Sequence, residues 1–307
     1  MDYSIIDAHT HLCLKQDAIV EGKRILTLDR GRSEFMGETV QMLPPFMTDG
    51  QNTVERLIAN MDYARVGAAV VTQEFIDGNQ NAYLLDVQSR YPDRILCCGL
   101  VDMRTDNYVE QASALIAEGF RAIKIPAQRL LTDTLSIDIV SPEAMRMYKL
   151  MENHGVILSI DLAEGDAQVG AMKEIIAECP ELKIAIGHFG MVTRPGWMEQ
   201  IKLALHTNVY VESGGITWLF NEEFYPFDGA MRSIREAADA VGIDKLMWGS
   251  DYPRTIVAIT YKMSYDFVVK SAWLTDEEKA DFLGLNAMKF YGFKQLPSLP
   301  YIKNMSE

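Results

Sequence analysis

Eight short apolar runs recur along the chain, and each ends on a polar or ionisable residue. They are Ile5-Ile6-Asp7-Ala8-His9, Ala68 to Glu74, Ile95 to Val101 with Asp102, Ala122-Ile123-Lys124, Val156 to Asp161, Ile184 to His188, Val209 to Glu212 and Leu246 to Asp251. Near-continuous apolar stretches of this length read as strands buried on both faces of a parallel sheet. Most are separated by segments with helical spacing, such as Thr53 to Met61 and Glu143 to Asn153, which predict covering helices. Eight strand-and-helix units in 307 residues predict a closed (β/α)8 TIM barrel rather than an open doubly wound sheet. The C-terminal strand ends of such a barrel form its catalytic face. The polar residues that close the runs are therefore expected to converge.

Residues i and i+2 of a strand share a face, so His9 and His11 can reach one ion or one substrate atom. Asp251, at the end of the last run, brings a carboxylate to the same place, as a hydrolytic centre requires. Lys124 either polarises a carbonyl or holds a substrate acid, or else forms a structural ion pair with Glu74 or Asp102. Of the neighbours Gln73 and Glu74, one points inward. Glu212 is expected to hydrogen-bond within the barrel, and Asp102 to be structural. His154 and His206 lie at helix-to-strand turns on the far end, where turn or capping roles are expected. Arg254, following Tyr252-Pro253, is placed for bidentate recognition of a substrate carboxylate. The stretch from Leu12 to Gln51 has little periodicity and reads as a long binding loop or lid after the first strand. Its Lys15, Arg30 and Arg32 can meet an acid group, and Met36, Met42, Pro44, Pro45 and Phe46 can cover a ring; the alternative is a loop packed on the barrel rim. Trp218 and Phe220 form either an aromatic wall or core.

Composition narrows the partners. A formal charge of −14 disfavours nucleic acid and anionic membrane, which would be repelled, but not a small anion held by local cations. With 48% apolar residues and no Pro/Gly/Ser-rich linker, one domain spanning 1–307 is expected. The first strand follows Met1-Asp2-Tyr3 with no basic or apolar leader, and no run has the length of a membrane span, so a cytoplasmic protein is expected. Cys13, Cys97, Cys98 and Cys179 lack metal-ligand spacing and read as reduced structural thiols, with Cys97 and Cys98 on opposite faces of one strand.

Asp7-Ala8-His9-Thr10-His11, Tyr91-Pro92-Asp93-Arg94, Gly119 to Ile125, Ile184 to Gly190, Gly249-Ser250-Asp251-Tyr252-Pro253 and Leu283 to Ala287 together resemble the amidohydrolase-related (amidohydrolase 2) family, from Ile5 to about Phe293. That family includes decarboxylases resembling aminocarboxymuconate-semialdehyde decarboxylase and lactonases acting on sugar lactones and pyrone dicarboxylates. The resemblance implies a distorted (β/α)8 barrel, commonly dimeric, with one mononuclear site. His9 and His11 match its first-strand metal ligands, Asp251 its eighth-strand carboxylate, and His188 a sixth-strand histidine with a catalytic or orienting role. The fifth run departs from the pattern: Asp161 stands where a histidine is usual. Two His and two Asp make a harder ligand set, suited to zinc first and manganese second, while the lactonase branch also includes members that work without metal. The expected activity is hydrolysis beside a carbonyl, in a lactone or carboxylated ring, by metal-activated water, with Asp251 and His188 catalytic and Lys124, Arg254 and Arg32 holding an anionic substrate. The alternatives are a metal-independent lactonase with Asp251 as general base, a nonoxidative decarboxylase, and a catalytically silent binding barrel.

Overall fold

The computed structural model describes residues 3–20, 22–303 and 305. The expected runs are parallel strands: β1 (Ile5–His11), β6 (Val66–Thr72), β7 (Ile95–Leu100), β8 (Ala122–Pro126), β9 (Ile157–Asp161), β10 (Ile184–Ile186), β11 (Val209–Glu212) and β12 (Leu246–Met247). They hydrogen-bond in that order in one eight-stranded sheet. Beyond β12 the sheet closes on β1: Ala8 N donates to Trp248 O, Asp251 N to His9 O and His11 N to Tyr252 O, at 2.7–2.9 Å. Helices lie between the strands, and sequence start signals mark them. Ser141 caps helix Pro142–Asn153 through its side chain, with Pro at the first position, where its missing N–H costs nothing.

The barrel divides the apolar residues into two cores. Ile6, Ala8, Ala68, Val70, Leu96, Cys98, Ala122, Ile157, Ala185, Tyr210 and Met247 fill the interior, stoppered at the strands' N-terminal end by Phe290 and Tyr291 of the last helix. The larger cluster, with Ile5, Val66, Val71, Cys97 and Leu158, packs between sheet and helices. Cys97 and Cys98 thus face opposite sides, and all four cysteines are free and buried.

The segment 12–51 differs from the expected irregular loop. It contains a four-stranded antiparallel meander, β2 (Asp17–Val20), β3 (Lys23–Thr27), β4 (Arg32–Phe35) and β5 (Glu38–Gln41), paired in chain order. These strands are four or five residues long, and β3, β4 and β5 are largely solvated on both sides, so no apolar alternation advertises them. The turn between β4 and β5 is Met36-Gly37, both with positive φ, as tight hairpins prefer. No helix among the described residues is long and apolar enough to cross a membrane.

Candidate active site

The two β1 histidines point inward because β1 carries a bulge. Asp7 pairs with Ala69 and Thr10 with Val71, so three residues of β1 advance against two of β6. Before the bulge the even positions Ile6 and Ala8 face the interior. After it the odd positions do, and His9 and His11 turn into the barrel mouth. Asp7 fastens the bulge to the end of β12: Ser250 N, Ser250 Oγ, Tyr261 Oη and His9 N all donate to its carboxylate, at 2.5–3.1 Å.

Each histidine is held from behind by a carboxylate. His9 Nδ1 lies 2.6 Å from Glu212 Oε1, and His11 Nδ1 lies 2.7 Å from Asp77 Oδ2. A carboxylate accepts, so both Nδ1 atoms carry protons and both Nε2 atoms face the site. Glu212 comes this close because Gly249 has no side chain; a Cβ there would stand 2.6 Å from Glu212 Oε2 and 2.7 Å from His9 Cβ. The two Nε2 atoms are 3.0 Å apart, and Asp251 Oδ1 is 3.1 Å from His11 Nε2 and 3.9 Å from His9 Nε2. Three acceptors converging this closely need a cation between them, either a proton on His11 or a metal ion. The triangle also fits an ion: ligands about 2.0–2.1 Å from zinc in a tetrahedron are roughly 3.3 Å from one another.

The four expected metal ligands do not form one group. His9, His11 and Asp251 make one possible ion site; His9, Asp161 and His188 make another. Asp161 Oδ1 accepts from Lys124 Nζ at 2.5 Å, and Oδ2 lies 3.5 Å from His188 Nε2. Lys124 is fully buried and Asp161 is 2% exposed. The partner of Lys124 is therefore Asp161, and neither of the two carboxylates anticipated from sequence; Glu74 pairs with Arg129 and Asp102 with Arg104. Burial alone would push the Asp161 carboxyl up, but Lys124 and His188 hold it well below the usual range. Burial likewise disfavours a charged His188, yet Asp161 outweighs it and lifts the imidazole to about 9. His188 is thus a cation at neutral pH, with Nδ1–H donated to Gly214 O at 2.9 Å.

Asp251 is engaged on both oxygens. Oδ1 faces His11 and, at 3.4 Å, Arg254 Nη1; Oδ2 accepts the indole N–H of Trp218 at 2.9 Å. Desolvation opposes ionisation here too, but the His11 hydrogen bond and the Arg254 charge hold the carboxyl far below its ordinary value. Arg254 also donates to Asp77 Oδ1 at 2.7 Å, so its guanidinium spans two protein carboxylates beside the site. Arg32 is not part of this assembly: it sits exposed on the meander, paired with Asp29. Asp251 and His188 both have φ of 59°, and Phe189 and Met191 follow at 51° and 54°. Non-glycine residues there store strain, which clusters at functional sites.

His154 and His206 end helical segments, as expected. One site residue escaped the sequence reading, and another stood open between pocket wall and core. Asp77 lies on a single turn, Phe75–Asp77, closed by a capping box with Glu74, and Trp218 lies on the four-residue helix Ile216–Leu219. Neither position has a periodic signal. A reading of Glu74-x-x-Asp77 as a reciprocal cap after β6 would have drawn attention to the first.

Comparison with known proteins agrees with this fold. The chain is 28% identical over 260 residues to an L-fucono-1,5-lactonase of Burkholderia ambifaria, covering 79% of this chain and 84% of that protein. Its fold matches a probable 2-pyrone-4,6-dicarboxylic acid hydrolase of Acinetobacter baumannii solved with citric acid, with TM-score 0.68, 19% identity, and 94% of this chain and 100% of that one covered. It also matches a zinc-bound amidohydrolase of Burkholderia multivorans, with TM-score 0.67, 18% identity, and 96% and 100% covered. The amidohydrolase family model matches residues 6–293, and the chain belongs to the amidohydrolase family.

Proposed function

We propose that the protein hydrolyses a small lactone or carboxylated ring ester, opening the C–O bond next to the carbonyl. One observation carries the reading: His9 and His11, each fixed at Nδ1 by a carboxylate, present Nε2 atoms 3.0 Å apart beside Asp251. The lactonase relative and the hydrolase neighbour support the substrate class.

His9, His11 and Asp251 would hold a divalent ion, zinc or manganese. When bound, such an ion polarises a carbonyl and makes water more acidic. The chain's own residues do the rest. Asp251 accepts the proton of the attacking water at Oδ2, the oxygen turned away from the histidines, and passes it to the leaving ring oxygen as the C–O bond breaks. The imidazolium of His188 stabilises the negative charge that develops on the carbonyl oxygen. Asp161, itself held by Lys124, keeps His188 protonated and in place. Arg254 is the cation best placed to meet a substrate acid, with Arg32 outside on the meander.

The test is metal content. Protein isolated without chelator should carry close to one equivalent of zinc or manganese, and His9→Ala with His11→Ala should abolish it; full activity in metal-free protein would instead establish hydrolysis by Asp251 and His188 alone. The role of Arg254 is open to a second measurement. Arg254→Met should raise KM for an acidic substrate well beyond its effect on the ester. Equal effects on both would mean that Arg254 acts only through Asp77 and Asp251.

A further inference from the structure

Trp218 stands between the two reactive groups of the site. Its indole N–H donates to Asp251 Oδ2 at 2.9 Å, and its ring meets His188 edge-on at 6.2 Å between centroids. The residue is half-buried, so it is also the wall between the reacting centre and solvent. Its place is built by the chain before it. Ser213-Gly214-Gly215 leads from β11 into the short helix, and Gly215 has φ of 72° with the indole lying directly against its Cα, where any side chain would collide with Trp218. Ser213 ties this turn to the end of β12, its Oγ accepting from Gly249 N at 3.1 Å.

The two oxygens of Asp251 differ in their surroundings. Oδ1 faces His11, His9 and Arg254, the side on which a cation sits. Among the described residues, the hydrogen-bond donor at Oδ2 is the indole N–H. A carboxylate oxygen offers two lone pairs, so the indole occupies one and leaves one. We propose that Trp218 is a positioning residue for Asp251: its N–H fixes the plane of the carboxylate, so that the remaining lone pair of Oδ2 points at the water that attacks the substrate carbonyl. This rests on the reading of Asp251 as the proton acceptor. The step balances as written above: water oxygen bonds to the carbonyl carbon, its proton goes to Oδ2, the ring C–O bond breaks, and the leaving oxygen takes that proton.

The proposal separates the N–H from the ring, and substitution can do the same. Trp218→Phe keeps an aromatic wall and removes the donor, whereas Trp218→His keeps a donor in a smaller ring. With a five- or six-membered lactone as probe, Trp218→Phe should lower kcat roughly tenfold to hundredfold, the scale of a lost hydrogen bond to a charged group, with KM changed by less than about threefold. Trp218→His should recover a substantial part of kcat. Metal content should be unchanged in both, because the Oδ1 side is untouched. A Trp218→Phe enzyme with kcat within about twofold of wild type, or one whose loss lies wholly in KM, would overturn the proposal and leave Trp218 as a wall. Loss of metal in Trp218→Phe would overturn it also, placing the residue with the ion site. Asp251→Asn measured in the same assay distinguishes the two levels: if that variant stays active, the reading of Asp251 fails; if it is dead while Trp218→Phe is unimpaired, only the inference about Trp218 fails.

Discussion

Asp251→Asn should fold as the wild type does and lose kcat by roughly two or more orders of magnitude, the usual scale for removing a general base. The amide keeps the shape of the side chain and an oxygen that can still accept from Trp218, but it cannot take a proton from water. Its neighbours make the expectation sharp. The same carboxylate faces both histidines and Arg254, which favour its ionised form, and its Oδ2 keeps a lone pair for water beside the indole N–H. Circular dichroism should be unchanged and Tm should move by only a few degrees. A variant keeping a tenth of wild-type kcat on the true substrate would refute the assignment and move the chemistry to His188 or Asp161.

The second large effect concerns stability. Lys124→Met should cost about 3–5 kcal/mol, because it leaves the buried Asp161 carboxylate without its counter-charge while filling nearly the same volume. For a chain of this size that corresponds to a fall in Tm on the order of 10 °C. The compensating experiment is Lys124→Met combined with Asp161→Asn, which removes the stranded charge as well and should regain a good part of the loss. Residues in direct contact couple in this way. If Lys124→Met proves as stable as the wild type, the ion pair is not what keeps Asp161 ionised inside the barrel.

Much of this site was legible in the sequence, for a physical reason. A parallel barrel buries its strands on both faces, so they appear as apolar runs, and a catalytic face at the strand ends turns the last residue of each run into a candidate. His9, Lys124, Asp161, His188, Glu212 and Asp251 are found that way, and His11 by its spacing from His9. What the runs do not carry is pairing between ends. Lys124 was open between two partners and takes a third, because neighbouring β8 and β9 place Pro126 opposite Asp161 and Lys124 within reach of it. Asp77 and Trp218 belong to single turns, which have no period to read, and the meander has polar residues on both of its faces. Arg32 was chosen for its charge alone, and charge on a solvated hairpin says nothing about where the hairpin points.

The extra residue in β1 makes chain length, at one spot, part of the chemistry. Inserting one further residue after Ala8, with the bulge keeping its size, would leave Ile6 and the interior stopper where they are and swing His9 and His11 out among the helices. The barrel could still close, yet the enzyme would be as empty as a double histidine knockout. Relatives of this fold can therefore exchange their interior packing and their reactive residues independently, provided that the frame between the two is never shifted by one.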